Sequence, residues 1–215
     1  MATEIRSDYH RQLQEIDGGV SLELATTEEA IMAASEALLS ADPDAIRTVA
    51  LRRDEIGRIH RSLEALVVTQ MARQAPVASD LRQLVAVLRM LPEIELSANL
   101  ANDIARRGAM HLGAELTPRI RGLCAKLFEQ AGAMWRAVSD AYGRAPANLV
   151  DHVEIQHEVV DELVIGLMSE LTSGILRAPV LVEMALVARF LERLADHALQ
   201  AARWVQTLPA PAERN

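Results

Sequence analysis

Residues 192–202 read ERLADHALQAA, and residues 95–105 read ELSANLANDIA. Both stretches begin with glutamate, carry an aspartate or an asparagine four residues later, and place alanines at matching positions. A proline break precedes each of them, at Pro76 and at Pro179. A motif that recurs with the same layout in the two halves of a chain indicates an internal repeat. The sequence therefore predicts two related units in tandem.

Prolines divide the chain into six long segments with helical periodicity. Asp42 precedes Pro43 and Thr117 precedes Pro118, and in each case a capping residue is followed by proline at the first helical position. No sustained apolar alternation predicts a strand. We therefore expect an all-α protein made of two tandem three-helix bundles that are related by the internal repeat.

The repeat also sets the expected domain boundaries. We expect an N-terminal three-helix bundle over residues 1–112 and a C-terminal three-helix bundle over residues 113–208. Residues 209–215 read PAPAERN, and we expect them to form a disordered tail.

Composition limits the classes of function. The net charge of −8 argues against a general nucleic-acid binder, because such proteins usually carry a basic surface. The single cysteine, Cys124, excludes an intrachain disulfide framework and is typical of a reducing compartment. No signal peptide opens the sequence, and no apolar run of about 18 residues predicts a membrane span. We expect a soluble, cytoplasmic protein.

Two pairs of polar residues stand on predicted core stripes of the C-terminal bundle. His157 with Asp161, and Glu192 with Asp196, are each spaced by four residues, so both members of a pair face the same side of their helix. Two such pairs on neighbouring helices offer four ligands to one ion. Imidazole with carboxylates suits zinc, iron or manganese better than magnesium or calcium. The pattern predicts a metal site.

A simpler interpretation of the acidic pair stays open. Arg189 and Arg193 each lie three residues from one of the two acids, so Glu192 and Asp196 can instead be ion-paired on a solvated helix face.

The N-terminal bundle carries a weaker version of the same pattern. Glu95 and Asp54 occupy the corresponding positions, and Asp103 is a further acidic candidate. Asn99 is a poor metal ligand, and Arg58 brings a cation that opposes metal binding. We expect this second site to bind less metal or none.

The motifs resemble those of the PhoU family, the cytoplasmic regulators of phosphate uptake. Residues 76–82, which read PVASDLR, match the family's P-x-A-x-D-L-R motif in full. Residues 192–202 are similar to the family's E-R-I-G-D-type signature. Residues 95–105 match it with losses, since Leu96 replaces arginine and Asn99 replaces aspartate.

The resemblance implies two three-helix bundles whose E(D)-x-x-x-D pairs bind iron or zinc. Glu192 and Asp196 match such a pair fully, while His157 and Asp161 fall on a D-x-x-x-D pair with histidine for the first aspartate. It also implies a non-enzymatic negative regulator of phosphate uptake and phosphate-starvation signalling. The implied partners are the phosphate ABC transporter's ATPase, a sensor histidine kinase and a second copy of the chain, with membrane contact only through partners.

Two other functions fit the same residues. One is a helical-bundle metalloenzyme with a carboxylate and histidine centre, which requires open coordination positions and a substrate pocket. The other is a scaffold that contains no metal. The shortage of aromatic and spare acid/base residues makes the enzyme the weaker alternative.

Overall fold

The computed structural model describes residues 2–73, 76, 78–144, 146–174 and 176–209, without the side chains of residues 2–8 and 73. Within these ranges the chain forms seven helices and no strand. The helices are α1 (Ala2–Ser40), α2 (Pro43–Arg73), α3 (Ala78–Gly108), α4 (Leu112–Glu115), α5 (Pro118–Ala141), α6 (Leu149–Leu171) and α7 (Ala178–Gln206). The all-α prediction is confirmed, and the short α4 is an element that the sequence did not predict.

Local capping explains where two of the helices begin. The carboxylate of Asp42 accepts a hydrogen bond of 2.9 Å from the backbone N–H of Asp44, just before α2. The hydroxyl of Thr117 accepts one of 3.2 Å from the N–H of Ile120, at the start of α5. Such bonds satisfy N–H groups that the first helical turn leaves without a partner. Both predicted caps are therefore present.

The helices pack as two groups of three. Helices α1, α2 and α3 contact one another, and so do α5, α6 and α7. The two bundles then meet where α3 packs against α7 and α1 packs against α5. The predicted pair of tandem three-helix bundles is confirmed. Apart from Pro209, the tail predicted for residues 209–215 lies outside the described residues.

Aliphatic side chains and alanine fill most of the core, which also contains the aromatic residues Tyr9, Phe128, Trp135 and Tyr142. Trp135 and Phe128 are fully buried. The indole N–H of Trp135 donates a 3.1 Å hydrogen bond to the carbonyl of Leu194, which fixes α5 against α7. Charged residues interrupt the apolar faces, and in the described part of the chain no helix is long and apolar enough to cross a membrane.

Polar contacts supplement the apolar packing between the two bundles. Arg107 on α3 donates from Nε to Glu183 on α7 over 2.8 Å. Nδ1 of His197 on α7 lies 2.6 Å from a carboxylate oxygen of Glu93 on α3. All four side chains are at most one quarter exposed, so water screens these pairs less than it screens a surface ion pair. The contacts hold α3 and α7 in one register.

Candidate metal centre

The residues predicted for the C-terminal site come from two neighbouring helices. His157 and Asp161 are one turn apart on α6, and Glu192 and Asp196 are one turn apart on α7. Helix α6 packs directly against α7, so the two pairs are brought to the same side of the bundle. The two predicted pairs therefore lie on adjacent helices, with His157 of one pair in contact with Asp196 of the other.

The imidazole of His157 lies between two carboxylates. Its Nε2 is 2.8 Å from Oδ1 of Asp196, and its Nδ1 is 3.4 Å from Oδ2 of Asp161. The side chain of His157 is 18% exposed, whereas each carboxylate is 50% exposed. Because the two nitrogens of an imidazole point in different directions, one ion cannot bind to both. Asp161 and Asp196 therefore cannot join His157 as equivalent ligands.

Glu192 forms an ion pair with an arginine of its own helix. An Nη atom of Arg189 lies 2.6 Å from a carboxylate oxygen of Glu192, three residues along α7. The hydrogen bond to Glu192 raises the pKa of Arg189 above its ordinary value. The structure thus brings His157, Asp161 and Asp196 together and turns Glu192 toward Arg189, the ion pair that the simpler interpretation of this acid foresaw.

The imidazole nitrogen and carboxylate oxygens at this site are atoms that zinc, iron or manganese can bind, but they do not surround a single point. Within the described ranges, no three His, Cys, Asp or Glu side chains stand so that they enclose an ion. Nε2 of His157 and a carboxylate oxygen of Asp196 offer one nitrogen and one oxygen from adjacent helices, a pair that suits zinc, iron or manganese. A third ligand requires Glu192 to leave Arg189.

Two of the three N-terminal candidates, Asp54 and Glu95, share a cavity with arginines. Asp54 is paired with Arg53 at 2.8 Å, and a carboxylate oxygen of Glu95 lies 3.7 Å from Nε2 of His60. Asp54 and Glu95 line a cavity of about 210 Å³ that Arg53 and Arg61 also line. Positive charge beside these acids disfavours a bound cation.

Asp103 lies elsewhere, in a cavity of about 380 Å³ near the joint between the bundles. This cavity is also lined by Arg106, Arg107 and Glu183. Asp103 therefore does not complete a site with Asp54 and Glu95.

Sequence reasoning missed a buried acid in the N-terminal bundle. Glu23 on α1 is fully buried, and neither of its carboxylate oxygens has a hydrogen-bond partner among the described residues. Burial, and to a lesser degree the negative charge of Glu95, raises the pKa of Glu23 to about 8. Val20 and Thr27 lie one turn before and after it and are also buried. Helical spacing from these neighbours was a signal that could have placed Glu23 on the core face.

The sequence profile of the PhoU domain matches this chain twice, over residues 21–108 and 125–205. A relative from Mycobacterium leprae, named phosphate-specific transport system accessory protein PhoU homolog 1, is 28% identical over 210 residues. That alignment covers 94% of this chain and 92% of the relative. A protein of Pseudomonas aeruginosa named phosphate-specific transport system accessory protein PhoU homolog is 25% identical, and the match covers 94% of this chain and 85% of that protein.

Solved structures give the same result for the fold. The crystal structure of PhoU from Pseudomonas aeruginosa superposes with a TM-score of 0.85 at 25% identity, covering 93% of this chain and 98% of that one. The phosphate transport system regulatory protein PhoU from Streptococcus pneumoniae has the same fold, with a TM-score of 0.74 at 18% identity over 94% and 95% of the two chains. With both repeats matched by the domain profile, the chain belongs to the PhoU family.

Proposed function

We propose that this protein takes part in phosphate transport as a negative regulator of phosphate uptake and of phosphate-starvation signalling. The observation that carries the proposal is the match of both halves of the chain to the PhoU domain. Relatives that align over more than nine tenths of this chain are named accessory proteins of the phosphate-specific transport system. Those names support a role in phosphate transport, and the negative sign of the regulation is part of the proposal.

The protein acts by binding, in the cytoplasm, to the ATPase of the phosphate ABC transporter, to a sensor histidine kinase, or to both. It reaches the membrane only through these partners. A binding protein shifts a partner's conformational equilibrium only if it prefers one of the partner's two states. The polar contacts between α3 and α7 support such a role, because they keep two bundles in a fixed arrangement that can serve as one docking surface.

Regulation without catalysis is consistent with the state of the one cysteine. Cys124 is completely buried, and burial raises the pKa of its thiol to about 12. Because the thiolate is the nucleophilic form of cysteine, this side chain is inert near neutral pH. The acids that line the cavity of the N-terminal bundle and the cavity at the joint between the bundles are accompanied by arginines, as expected of ion-paired surfaces.

A metal ion at the C-terminal bundle is a further part of the proposal. His157 and Asp196 would hold it, and Glu192 would add a third ligand if it left Arg189. Iron, zinc or manganese would supply positive charge near these carboxylates. Its role is to stiffen the bundle, since a ligand of the native state stabilises that state by mass action.

Direct binding tests the proposal. The purified protein is titrated against the purified ATPase subunit and against the cytoplasmic part of the histidine kinase, each in its nucleotide-bound and nucleotide-free state. We expect saturable binding to at least one of them, with an affinity that depends on the nucleotide. If neither protein binds in any state, the regulatory mechanism proposed here is wrong.

A further inference from the structure

We propose that the cavity between α2 and α3 in the N-terminal bundle binds inorganic phosphate: Arg53 and Arg61 hold the oxyanion, and Glu95 accepts a hydrogen bond from its proton. The cavity has a volume of about 210 Å³ and is lined by Arg53, Asp54, Gly57, Arg61, Glu95 and Asn99. Drug-sized ligands occupy pockets of about 300 Å³ or more, so a cavity of this size suits a small ion. The site needs neither a metal nor a partner protein, so it goes beyond the proposed function and can fail separately from it.

The two arginines supply N–H groups that no other described residue uses. Arg53 binds Asp54 through Nη2 at 2.8 Å, while its Nε is buried and has no hydrogen-bond partner among the described residues. Arg61, about two turns further along α2, forms no ion pair within the described part of the chain. A buried N–H without a partner is unfavourable, and the planar fork of a guanidinium matches the oxygens of a phosphate. Both side chains are therefore suited to an oxyanion.

Gly57 leaves space between the positive and the negative side chain. A Cβ atom at this position would lie 3.6 Å from Nη1 of Arg61 and 3.8 Å from Oε1 of Glu95. These are ordinary van der Waals distances, so alanine would fit, but its methyl group would stand between the guanidinium and the carboxylate. Glycine is otherwise unfavourable in the middle of a helix. The open space above Gly57 is where an anion meets both side chains.

The carboxylate of Glu95 selects for an oxyanion that carries a proton. Its Oε2 lies 3.7 Å from Nε2 of His60, while Oε1 borders the space above Gly57. Near neutral pH, phosphate carries at least one proton and can donate it in a hydrogen bond to a carboxylate. Sulfate has no proton to donate, so the carboxylate repels it. Two cations together with an acceptor carboxylate therefore favour phosphate over sulfate.

The other acids nearby oppose the anion only weakly. Asp54 is 67% exposed and is already paired with Arg53. Glu23 on α1 is fully buried, and burial raises its pKa to about 8, so near neutral pH it is mostly uncharged. The amide of Asn99 lines the same cavity and adds a hydrogen-bond donor. The net attraction is modest, and we expect binding in the millimolar range.

NMR titrations of isotope-labelled protein test the site, with inorganic phosphate as the ligand and sulfate as the comparison at constant ionic strength. The side-chain Nε–H signals of Arg53 and Arg61, identified by their loss in R53Q and R61Q, report directly on the guanidinium groups. The further variants are E95Q and G57A, and the same spectra show that each variant is folded. R58Q is the matched control, because Arg58 is exposed on the same helix and is not among the residues that line the cavity.

We expect phosphate to shift both arginine signals in a saturable way, with an affinity about 10-fold or more above that of sulfate. R61Q should weaken phosphate binding by about 10- to 100-fold, the effect of losing one charge-assisted hydrogen bond. E95Q should bind sulfate as well as phosphate, since glutamine can donate to either anion. G57A should bind phosphate several-fold more weakly while staying at least as stable as the wild type, and R58Q should bind nearly as tightly as the wild type.

Four results would overturn the assignment. If phosphate leaves both arginine signals unmoved in the folded protein, the cavity is not an anion site. If sulfate binds the wild type as tightly as phosphate, Glu95 does not select for a protonated anion. If R58Q loses as much affinity as R61Q, the anion responds to the overall charge of α2 and not to this cavity. If O-phosphoserine binds more tightly than inorganic phosphate, the ligand is a phosphorylated side chain and not the free ion.

Discussion

Gly108 at the end of α3 lies directly against the main chain of Ala37 on α1. A Cβ atom at position 108 would overlap the carbonyl oxygen of Ala37, and its carbonyl carbon would be only 2.7 Å away. Backbone atoms of a packed helix cannot move aside as the end of a flexible side chain can. The close approach of α1 and α3 therefore depends on glycine at this position.

Substitution of this glycine should destabilise the N-terminal bundle. We expect G108A to lower the free energy of unfolding by about 2 kcal/mol or more, since overpacking a tight contact commonly costs ~1–3 kcal/mol. Urea unfolding followed by circular dichroism measures the change. The matched control is G122A, because a Cβ at Gly122 on α5 meets nothing within 4 Å. That variant should be neutral or more stable by up to about 1 kcal/mol. Equal stability of G108A and the wild type would contradict the close contact.

Metal should stabilise the folded protein through the C-terminal pair. Zinc at about 100 times its dissociation constant should add ~2.7 kcal/mol to the free energy of unfolding of the wild type. The double variant E192A/D196A should lose this increment. E95A serves as the control for the N-terminal bundle and should keep it, because Glu95 shares its cavity with Arg53 and Arg61. Melting temperatures with and without zinc provide the measurement, and an undiminished shift in the double variant would refute the site.

Glu23 should make the stability of the protein fall as the pH rises. Its pKa is about 8 in the folded state, whereas the unfolded chain releases this proton near the ordinary value of 4.5. Between these two values the folded state binds more protons than the unfolded state, so the free energy of unfolding decreases with pH. Well below pH 4.5 the group contributes no pH dependence, and the loss is complete only well above pH 8.

The variant E23Q removes this proton equilibrium. We expect the stability of E23Q relative to the wild type to rise by ~3 kcal/mol between about pH 5 and about pH 8, at up to about 1.4 kcal/mol per pH unit. Urea unfolding at four pH values across that range gives the difference. E64Q, which changes an exposed acid on α2, is the matched control and should follow the wild type. Parallel pH profiles for E23Q and the wild type would show that Glu23 is ionised in the fold.

The protein should be a homodimer. Helix α6 exposes Ile155 and Ile165 at 64% and 71%, and long alanine-rich helices leave apolar surface that a three-helix core does not cover. Light scattering over a dilution series should give twice the chain mass of 23.6 kDa at high concentration. A mass of 23.6 kDa at every concentration would show a monomer.

Local signals made much of the fold predictable. The side chains of Asp42 and Thr117 cap the first turns of α2 and α5, so the starts of these helices could be predicted from local sequence. The repeated stretches at residues 95–105 and 192–202 indicated the two bundles. The approach of Gly108 to Ala37 has no such signal, because it depends on how two distant segments cross.

The candidate site shows the same limit at the level of side chains. Spacing by four residues predicted that His157 and Asp161 share a helix face, and the structure confirms this. Spacing cannot decide between two partners that a flexible side chain reaches equally well, and Glu192 turns to Arg189. Glu23 was missed because a single acid among apolar residues resembles a solvated position until the helices around it are known.

The initial rate of phosphate uptake in phosphate-replete cells tests the central claim most directly. It is measured with labelled phosphate in a strain that lacks this gene and every other member of the family, and in the same strain with the gene restored. A negative regulator predicts that the deletion strain keeps taking up phosphate and expressing starvation genes in replete medium, and that the restored gene reverses both. Uptake and starvation-gene expression that are the same in the two strains would contradict the claim.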